Sequence, residues 1–492
     1  MTKPAEMVIR ETAEKAGAIQ DEPELTKLVR NFNERFYVVE DFGGRCLVCW
    51  ETENPTTNTL ELHHQSFADF RKRWNRFIQV GEKDGEPIRK LLADAWLDNQ
   101  GRRQYVEVAF APGETLSADI RNLWRGFAFE PRKGDCRLYL EHLKTNIAGG
   151  NEEHFDWLLN WMAFKVQNPG KQSYTAVVLK GREGVGKNMA AEPFAKLFGP
   201  HHLSVTRREH VAGHFNAHLR ACCVLIANEA FFAGDRQHQA TLKGLITDDT
   251  LMIEAKGIDA MQSKNRLSLI MLSNESWVVP AGVDARRFAV FNVSDERKED
   301  TQYFGKIRKE LDAGGMEALL FYLQTRPLKD FDQHKALRTD ALAEQQSLSL
   351  RGAESLWYEC LFRGELPGAT LINDATYLRT ERLLTWASIQ RRREWSDITA
   401  EQLGLLLGQN PRGAARGMEF KKAKKNGLRV WQIEPLETAR KLWNARRFTV
   451  KWDDSNDWEK IPVGDETTAT LKTPEPAKPP EQREPGSDDI PF

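Results

Sequence analysis

The chain has 492 residues, 40 % of them hydrophobic and 29 % charged, with a formal net charge of −1. This fits a globular protein with a sizeable core and, at roughly 100–200 residues per domain, about three domains with flexible ends. No apolar run reaches the roughly 18 residues that a membrane helix needs, the N-terminal stretch is charged rather than an apolar signal region, and six cysteines are too few for a disulfide scaffold. Membrane insertion and secretion are therefore not expected, and a reducing bacterial cytoplasm is.

The near-zero net charge hides an asymmetry. From Tyr377 to Lys451 there are 17 Lys/Arg against 7 Asp/Glu, a net of +10; from Trp452 to Phe492 there are 4 against 11, a net of −7. A basic block followed by an acidic tail is a common layout in proteins that handle nucleic acid.

In chain order, residues 1–30 read as a flexible or helical N-terminus. Residues 31–115 read as a small α+β domain, with strand-like Phe36–Glu40 and Arg45–Glu51 joined by the turn residues Asp41-Phe-Gly-Gly. Residues 116–172 read as a helical lead-in and oligomerisation region, where Phe155, Leu158, Leu159 and Met162 recur at helical spacing. Residues 173–346 alternate strand and helix, which predicts an α/β core. Residues 353–451 read as a basic, winged-helix-like DNA-binding domain: helical stretches, then a basic turn, then the strand Gly427-Leu-Arg-Val-Trp-Gln-Ile. Residues 452–492 hold seven prolines among 41 residues and read as a disordered acidic tail.

The chemistry-bearing motifs lie in the α/β core. Tyr174-Thr-Ala-Val-Val-Leu-Lys180 has the pattern of a buried strand, and it runs into Gly181-Arg-Glu-Gly184-Val185-Gly186-Lys187-Asn188 and then a helix. Strand, glycine loop, lysine and helix together form a phosphate-binding loop. Gly181, Gly184 and Gly186 let the backbone N–H groups, that of Val185 among them, turn inward on phosphate oxygens, and Lys187 would reach the β- and γ-phosphates. The Ser or Thr usual after this lysine is replaced by Asn188, whose amide oxygen is a weaker candidate for the Mg²⁺ shell.

A second apolar strand, Ala221-Cys-Cys-Val-Leu-Ile-Ala, ends in Asn228-Glu229. Glu229 is the candidate base that polarises the attacking water. Asn228 stands where an Asp would hold the metal shell, so Mg²⁺ loses a second charged ligand. A third strand, Arg266 to Leu272, ends in Ser273-Asn274, and the Asn274 amide is placed to sense the γ-phosphate. Beyond it, the pair Arg286-Arg287 has the character of arginine fingers on a neighbouring subunit's nucleotide.

The ordered set between residues 181 and 287 resembles the superfamily 3 helicases, specifically the phage and plasmid primase-helicase group with its DUF5906-like AAA+ P-loop ATPase core. The resemblance implies an ATP- and Mg²⁺-dependent DNA helicase, a homo-oligomer of hexameric type, acting on single-stranded or forked DNA in replication of a phage or mobile element. It implies that the stretch Leu242 to Gly257 is an additional motif whose β-hairpin carries a lysine into the central channel; Lys256 is the candidate, with Lys243 second. No primase centre stands out upstream, so a separate primase is the expected partner. The two amides Asn188 and Asn228 keep open an alternative, an ATP-binding initiator or loader with little hydrolysis.

The chain ends Asp488-Asp489-Ile490-Pro491-Phe492, which resembles the C-terminal tip of bacterial single-stranded DNA-binding proteins. Phe492 would enter an apolar pocket and offer its carboxylate to an arginine, Ile490 and Pro491 would pack beside it, and the two aspartates would meet a basic rim. The resemblance implies recruitment of host replication or repair proteins.

Three further signals carry less. Cys46-x-x-Cys49 lies in a strand without a second ligand pair, so metal binding is not expected. His201, His202, His210 and His214 follow no ligand spacing and read as structural or solvated. Lys421, Lys422, Lys424 and Lys425, near Arg429 and Trp431, read either as a DNA contact or as a solvated basic wing.

Overall fold

The structure is a computed structural model that describes residues 24–463 except 56–58, 208–212, 214–215, 230–235, 255–258, 280–284, 409–416 and 426. Two compact units divide the chain, residues 1–349 and 350–492. No helix among the described residues is long and apolar enough to cross a membrane.

The first unit opens with helix α1 (Glu24–Arg35) and a four-stranded sheet of order β3-β2-β1-β6, made of β1 (Phe36–Val39), β2 (Leu47–Glu53), β3 (Leu60–Gln65) and β6 (Gln104–Tyr105). As the turn residues predict, β1 and β2 pair antiparallel, and the Asp41 side chain accepts the Gly44 N–H to close the connection. Helix α2 (Phe67–Arg73), the hairpin β4 (Phe77–Lys83) and β5 (Glu86–Leu91), and helix α3 (Leu92–Leu97) pack on this sheet. Phe32, Phe36, Phe70 and Trp96 form an aromatic cluster there, with ring centroids 5.3–6.4 Å apart.

A short parallel pair, β7 (Glu107–Ala109) and β8 (Ile120–Asn122), follows. Glu51 on β2 binds Arg121 of β8 through two oxygens at 2.7 and 2.9 Å, and also binds Arg125 and accepts the Tyr37 hydroxyl at 2.8 Å. Burial pushes its carboxyl pKa up, but the Arg121 guanidinium outweighs this and holds it below the usual range. Four donors on one carboxylate satisfy the hydrogen-bonding capacity that burial would otherwise leave empty.

The lead-in consists of α4 (Arg137–Glu141), a π-helical turn over His142–Ile147, and α5 (Glu152–Gln167), whose first turn is capped by Asn151. The α/β core then runs through β9 (Ala176–Lys180), α6 (Lys187–Lys196), β10 (His202–Val205), β11 (Val224–Asn228), α7 (Arg236–Thr247), the antiparallel hairpin β12 (Thr250–Ile253) and β13 (Met261–Lys264), β14 (Ser268–Ser273), β15 (Phe288–Asn292), α8 (Thr301–Glu310), α9 (Met316–Thr325) and α10 (Asp340–Ser349). The sheet order is β10-β11-β14-β9-β15, and every pairing is parallel. Its strands are continuous apolar runs because both faces are covered. Val177 and Leu179 face the lead-in, packing with Leu143, Leu158 and Phe194. Val178 and Val290 face the other way, with Leu245 and Leu342. The lead-in therefore shares one core with β9. Lys165 of α5 reinforces this: fully buried, it donates to the carbonyls of Pro169, Lys171 and Arg266 at 2.6–2.9 Å.

The second unit holds α11 (Gly352–Arg363), β16 (Ala369–Ile372), β17 (Ala375–Leu378), α12 (Thr380–Ile389), α13 (Ala400–Leu407), β18 (Lys421–Lys425), β19 (Leu428–Ile433) and α14 (Leu436–Arg446). Its antiparallel sheet has the order β16-β17-β19-β18. A capping box between Thr399 and Gln402 starts α13. Composition assigns everything from Trp452 onward to the tail, and here the structure differs. Trp458 is buried, stacks near Trp357 at 5.6 Å, and donates to the Glu434 carbonyl at 2.9 Å, while the Glu459 and Ile461 carbonyls accept the Leu366 and Gly368 N–H groups. The Trp458 indole, the backbone bonds of Glu459 and Ile461, and the Arg440 guanidinium, which donates to the Asp453 and Ser455 carbonyls, hold residues 452–463 against the unit despite their polar composition. Residues 464–492 lie outside the described part.

Replacing Glu51 by Ala leaves Arg121 and Arg125 without their acid. The expected loss is about 2–3 kcal/mol, below that of a fully buried pair because both arginines reach solvent; urea unfolding of the two proteins measures it.

Candidate nucleotide-binding site

In a parallel sheet the strand C-termini align at one edge. The register sets Asn228 against Leu272 and Ser273 against Lys180, so the phosphate loop, the Asn228-Glu229 end and the Ser273-Asn274 end meet by construction. They line a cleft of about 880 Å³, which also takes in Asn188.

Lys187 is the first residue of α6, directly after Gly186, whose φ of 97° only glycine adopts without strain. A Cβ at Gly186 would lie 2.6 Å from Phe304 and 2.8 Å from His142. The Lys187 ammonium is 8 % exposed and donates to the carbonyls of Gly181 at 2.5 Å and Arg182 at 2.8 Å, and to the Asn274 amide oxygen. Burial lowers its pKa below that of a free lysine; Glu229 nearby opposes this.

Glu229 sits at φ 54°, a left-handed conformation that costs a non-glycine residue on the order of 1 kcal/mol or more. Its surroundings over-determine it. Its N–H donates to Leu272 O at 2.9 Å, and its carboxylate accepts the Asn274 N–H at 3.0 Å and the Ser273 hydroxyl at 3.4 Å. The predicted phosphate lysine, base and sensor are thus joined by direct bonds. Asn188 is exposed and Asn228 partly buried along the same cleft.

Arg286 and Arg287 are not part of this group. They precede Phe288, which pairs with Ala176 at the start of β9, so they stand at the opposite edge of the sheet from the loop. Arg287 Nε is buried without a hydrogen-bond partner. Lys243 is exposed on α7, and Lys256 lies outside the described residues, between β12 and β13. Lys421, Lys422, Lys424 and Lys425 form the edge strand β18 of the second unit, where Lys422 lies 5.1 Å from the Trp431 ring and Lys425 4.8 Å from Tyr377. Asp488, Asp489, Ile490, Pro491 and Phe492 lie outside the described residues, as do His210 and His214. His201 is buried, with Nε2 accepting the Arg125 N–H and Nδ1 bonded to Ala221 O.

Sequence reasoning missed what shapes the loop. His142 Nε2 donates to Gly186 O at 3.1 Å, and its Nδ1 meets the Tyr303 hydroxyl at 3.2 Å. Asn146 Nδ2 donates to Val185 O at 2.7 Å. The Glu299 N–H donates to Gly184 O at 3.0 Å. His142 and Asn146 stand four apart and share a buried face of this helical stretch, but Glu141, Lys144 and Thr145 around them mask that pattern in the sequence. Phe129, Phe304, Leu311 and Met316 line the apolar end of the cleft.

Residues 179–287 match a family described as a family of unknown function, DUF5906. A stretch of 163 residues, 32 % of this chain, is 26 % identical to the DNA primase-polymerase of Nitratiruptor phage NrS-1 and spans 23 % of that protein's length. Two apo structures of the NrS-1 C-terminal region share the fold, with TM-scores of 0.55 and 0.58, identities of 16 % and 17 %, and coverage of 84 % of this chain and 99 % of theirs.

Burial holds the His142 pKa down at about 4, from 6.5 when free. The unfolded chain takes up this proton between pH 6.5 and 4 and the folded one does not, so stability falls as pH drops through that window, by about 3 kcal/mol from this residue. His142→Gln keeps a donor toward Gly186 and removes the titration. Denaturation at a series of pH values should show a correspondingly smaller acid loss, with nucleotide affinity at pH 7 retained by Gln and reduced by Ala.

Proposed function

We propose that this chain is an ATP-dependent, ring-forming DNA helicase of the superfamily 3, AAA+ type, acting in replication of a phage or related element in the host cytoplasm. The observation that carries the reading is the direct bonding of Lys187, Asn274 and Glu229 at the edge where the parallel strands end. Likeness to the C-terminal region of a phage replication protein supports it.

On ATP binding, Lys187 exchanges its protein acceptors for β- and γ-phosphate oxygens, which releases the Asn274 side chain toward the γ-phosphate. The loop amides and the α6 N-terminus take the remaining phosphate charge. Glu229 accepts a proton from the attacking water. Mg²⁺ would supply neutralisation of the phosphates; the donor set fits it weakly, since Asn188 and Asn228 offer neutral amide oxygens. Standing at the far edge, Arg286 and Arg287 are assigned to the nucleotide of a neighbouring protomer. Lys256, with Lys243 as the second candidate, is assigned to DNA in the channel.

Two helices, α12 and α13, between β17 and the β18–β19 hairpin support a winged-helix reading of the second unit, with the β18 lysines on DNA phosphates. The tip Asp488–Phe492 is assigned to host proteins that read the end of single-stranded DNA-binding protein, and primase chemistry to a separate chain.

Asn188 and Asn228 favour a second reading, an initiator that binds ATP and hydrolyses it slowly. Hydrolysis assayed with and without single-stranded DNA, beside particle sizing, separates the two. The motor requires DNA-stimulated turnover that drops about a hundredfold in Lys187→Ala; equal turnover by wild type, Lys187→Ala and Glu229→Gln rejects it. Deleting Asp488–Phe492 should abolish binding to the host tip-reading proteins and leave ATPase intact, and undiminished binding would end the tail assignment.

A further inference from the structure

The N-terminal module has no part in the site above, yet its surface is unusual at one place. Phe77, the first residue of β4, is 70 % exposed. Alternation along β4 turns Ile78 and Val80 inward to the aromatic cluster, so Phe77 and Gln79 face outward. The register puts Arg89 of β5 opposite Gln79, on the same outward face, and Arg76 immediately precedes the strand.

The charges around this ring do not cancel. Arg71 pairs with Asp94, Lys72 with Asp69 and Lys90 with Asp98. Those three pairs use up the acids at the base of the hairpin. Arg76 and Arg89 form no ion pair among the described residues, and Arg73 lies over the Trp50 and Trp74 rings at 5.4 and 5.9 Å. The hairpin tip, with Glu82, Asp84 and Glu86 against Lys83, is acidic. Positive charge is thus confined to the base of the hairpin, around an exposed aromatic.

We propose that Phe77, flanked by Arg76 and Arg89, is a stacking platform for single-stranded nucleic acid, separate from the ATP cleft and from the β18 lysines. An exposed ring gives a base a face to stack on, and unpaired guanidinium groups beside it take the adjoining phosphates. A second protein copy would bring an apolar patch and acids of its own to this surface. A nucleic-acid strand matches both the ring and the cations, and is repelled by the acidic tip, which sets its path across the hairpin base.

The test uses the full chain without nucleotide, with fluorescent oligo-dT and oligo-rU and a duplex as probes. Phe77→Ala should weaken single-strand binding about tenfold, with little change for duplex. Arg76→Gln and Arg89→Gln should each reduce the slope of log affinity against log salt by about 0.7. A photoreactive thymidine analogue in the oligo-dT should crosslink to Phe77. Because binding is measured without nucleotide, failure of the ATPase reading leaves this result standing. Unchanged single-strand affinity and slope in all three surface variants overturns the proposal. So does a Phe77→Ala protein that changes oligomeric state with single-strand affinity per protomer intact, because the surface then belongs to a second copy.

Discussion

The carbonyls of the glycine-rich loop between β9 and α6 set the terms for the rest of the first unit. Each carbonyl that the loop turns into protein needs a donor. Gly181 and Arg182 give theirs to the Lys187 ammonium, Gly184 to the Glu299 amide, Val185 to Asn146, and Gly186 to His142. The loop's shape is therefore held in part by its own Lys187 and in part from outside, by the π-helical turn on one side and by the connection between β15 and α8 on the other. A lysine, an asparagine and a histidine do what a regular helix or sheet does elsewhere.

That arrangement explains why the lead-in shares a core with the α/β sheet. His142 and Asn146 work only if the segment bearing them is held at a fixed distance from β9. Leu143, Ile147 and Leu158 provide this by packing on Val177 and Leu179, and the buried Lys165 ties the end of α5 to the backbone before β14. Glu51, with Arg121 and Arg125, joins the N-terminal sheet to the same lead-in. Sheet, loop and N-terminal module are linked through one intermediate segment.

The parts legible in the sequence are those in which local pattern and function coincide. The strand before Gly181, the Asn228-Glu229 and Asn274 strand ends and β19 are continuous in the chain, and apolar periodicity finds them; Lys421–Lys425, which composition reads as a basic turn, instead form the edge strand β18. The loop's donors were not legible, because they act across 39 and 44 residues from Asn146 and His142, through side chains that look unremarkable on a helix. Glu51 was missed for the same reason, its partner Arg121 lying 70 residues away. The tail boundary was misplaced because composition averages over a window, while a few specific contacts, the buried Trp458 indole and the Arg440 bonds to Asp453 and Ser455, hold the segment.

The π-helical turn also makes the lead-in sensitive to length. Each residue of an α-helix advances the chain by about 100° around its axis, and each residue of a π-helical turn by somewhat less. Inserting or deleting one residue between positions 142 and 146 would leave every apolar contact type available, yet swing either the imidazole or the carboxamide off its carbonyl. Substitutions at Lys144 and Thr145 alter the ion pair with Glu152 and the bond to Glu141 O, and leave the loop carbonyls with their donors. Across related chains, this stretch should vary in spelling more readily than in the number of letters it contains.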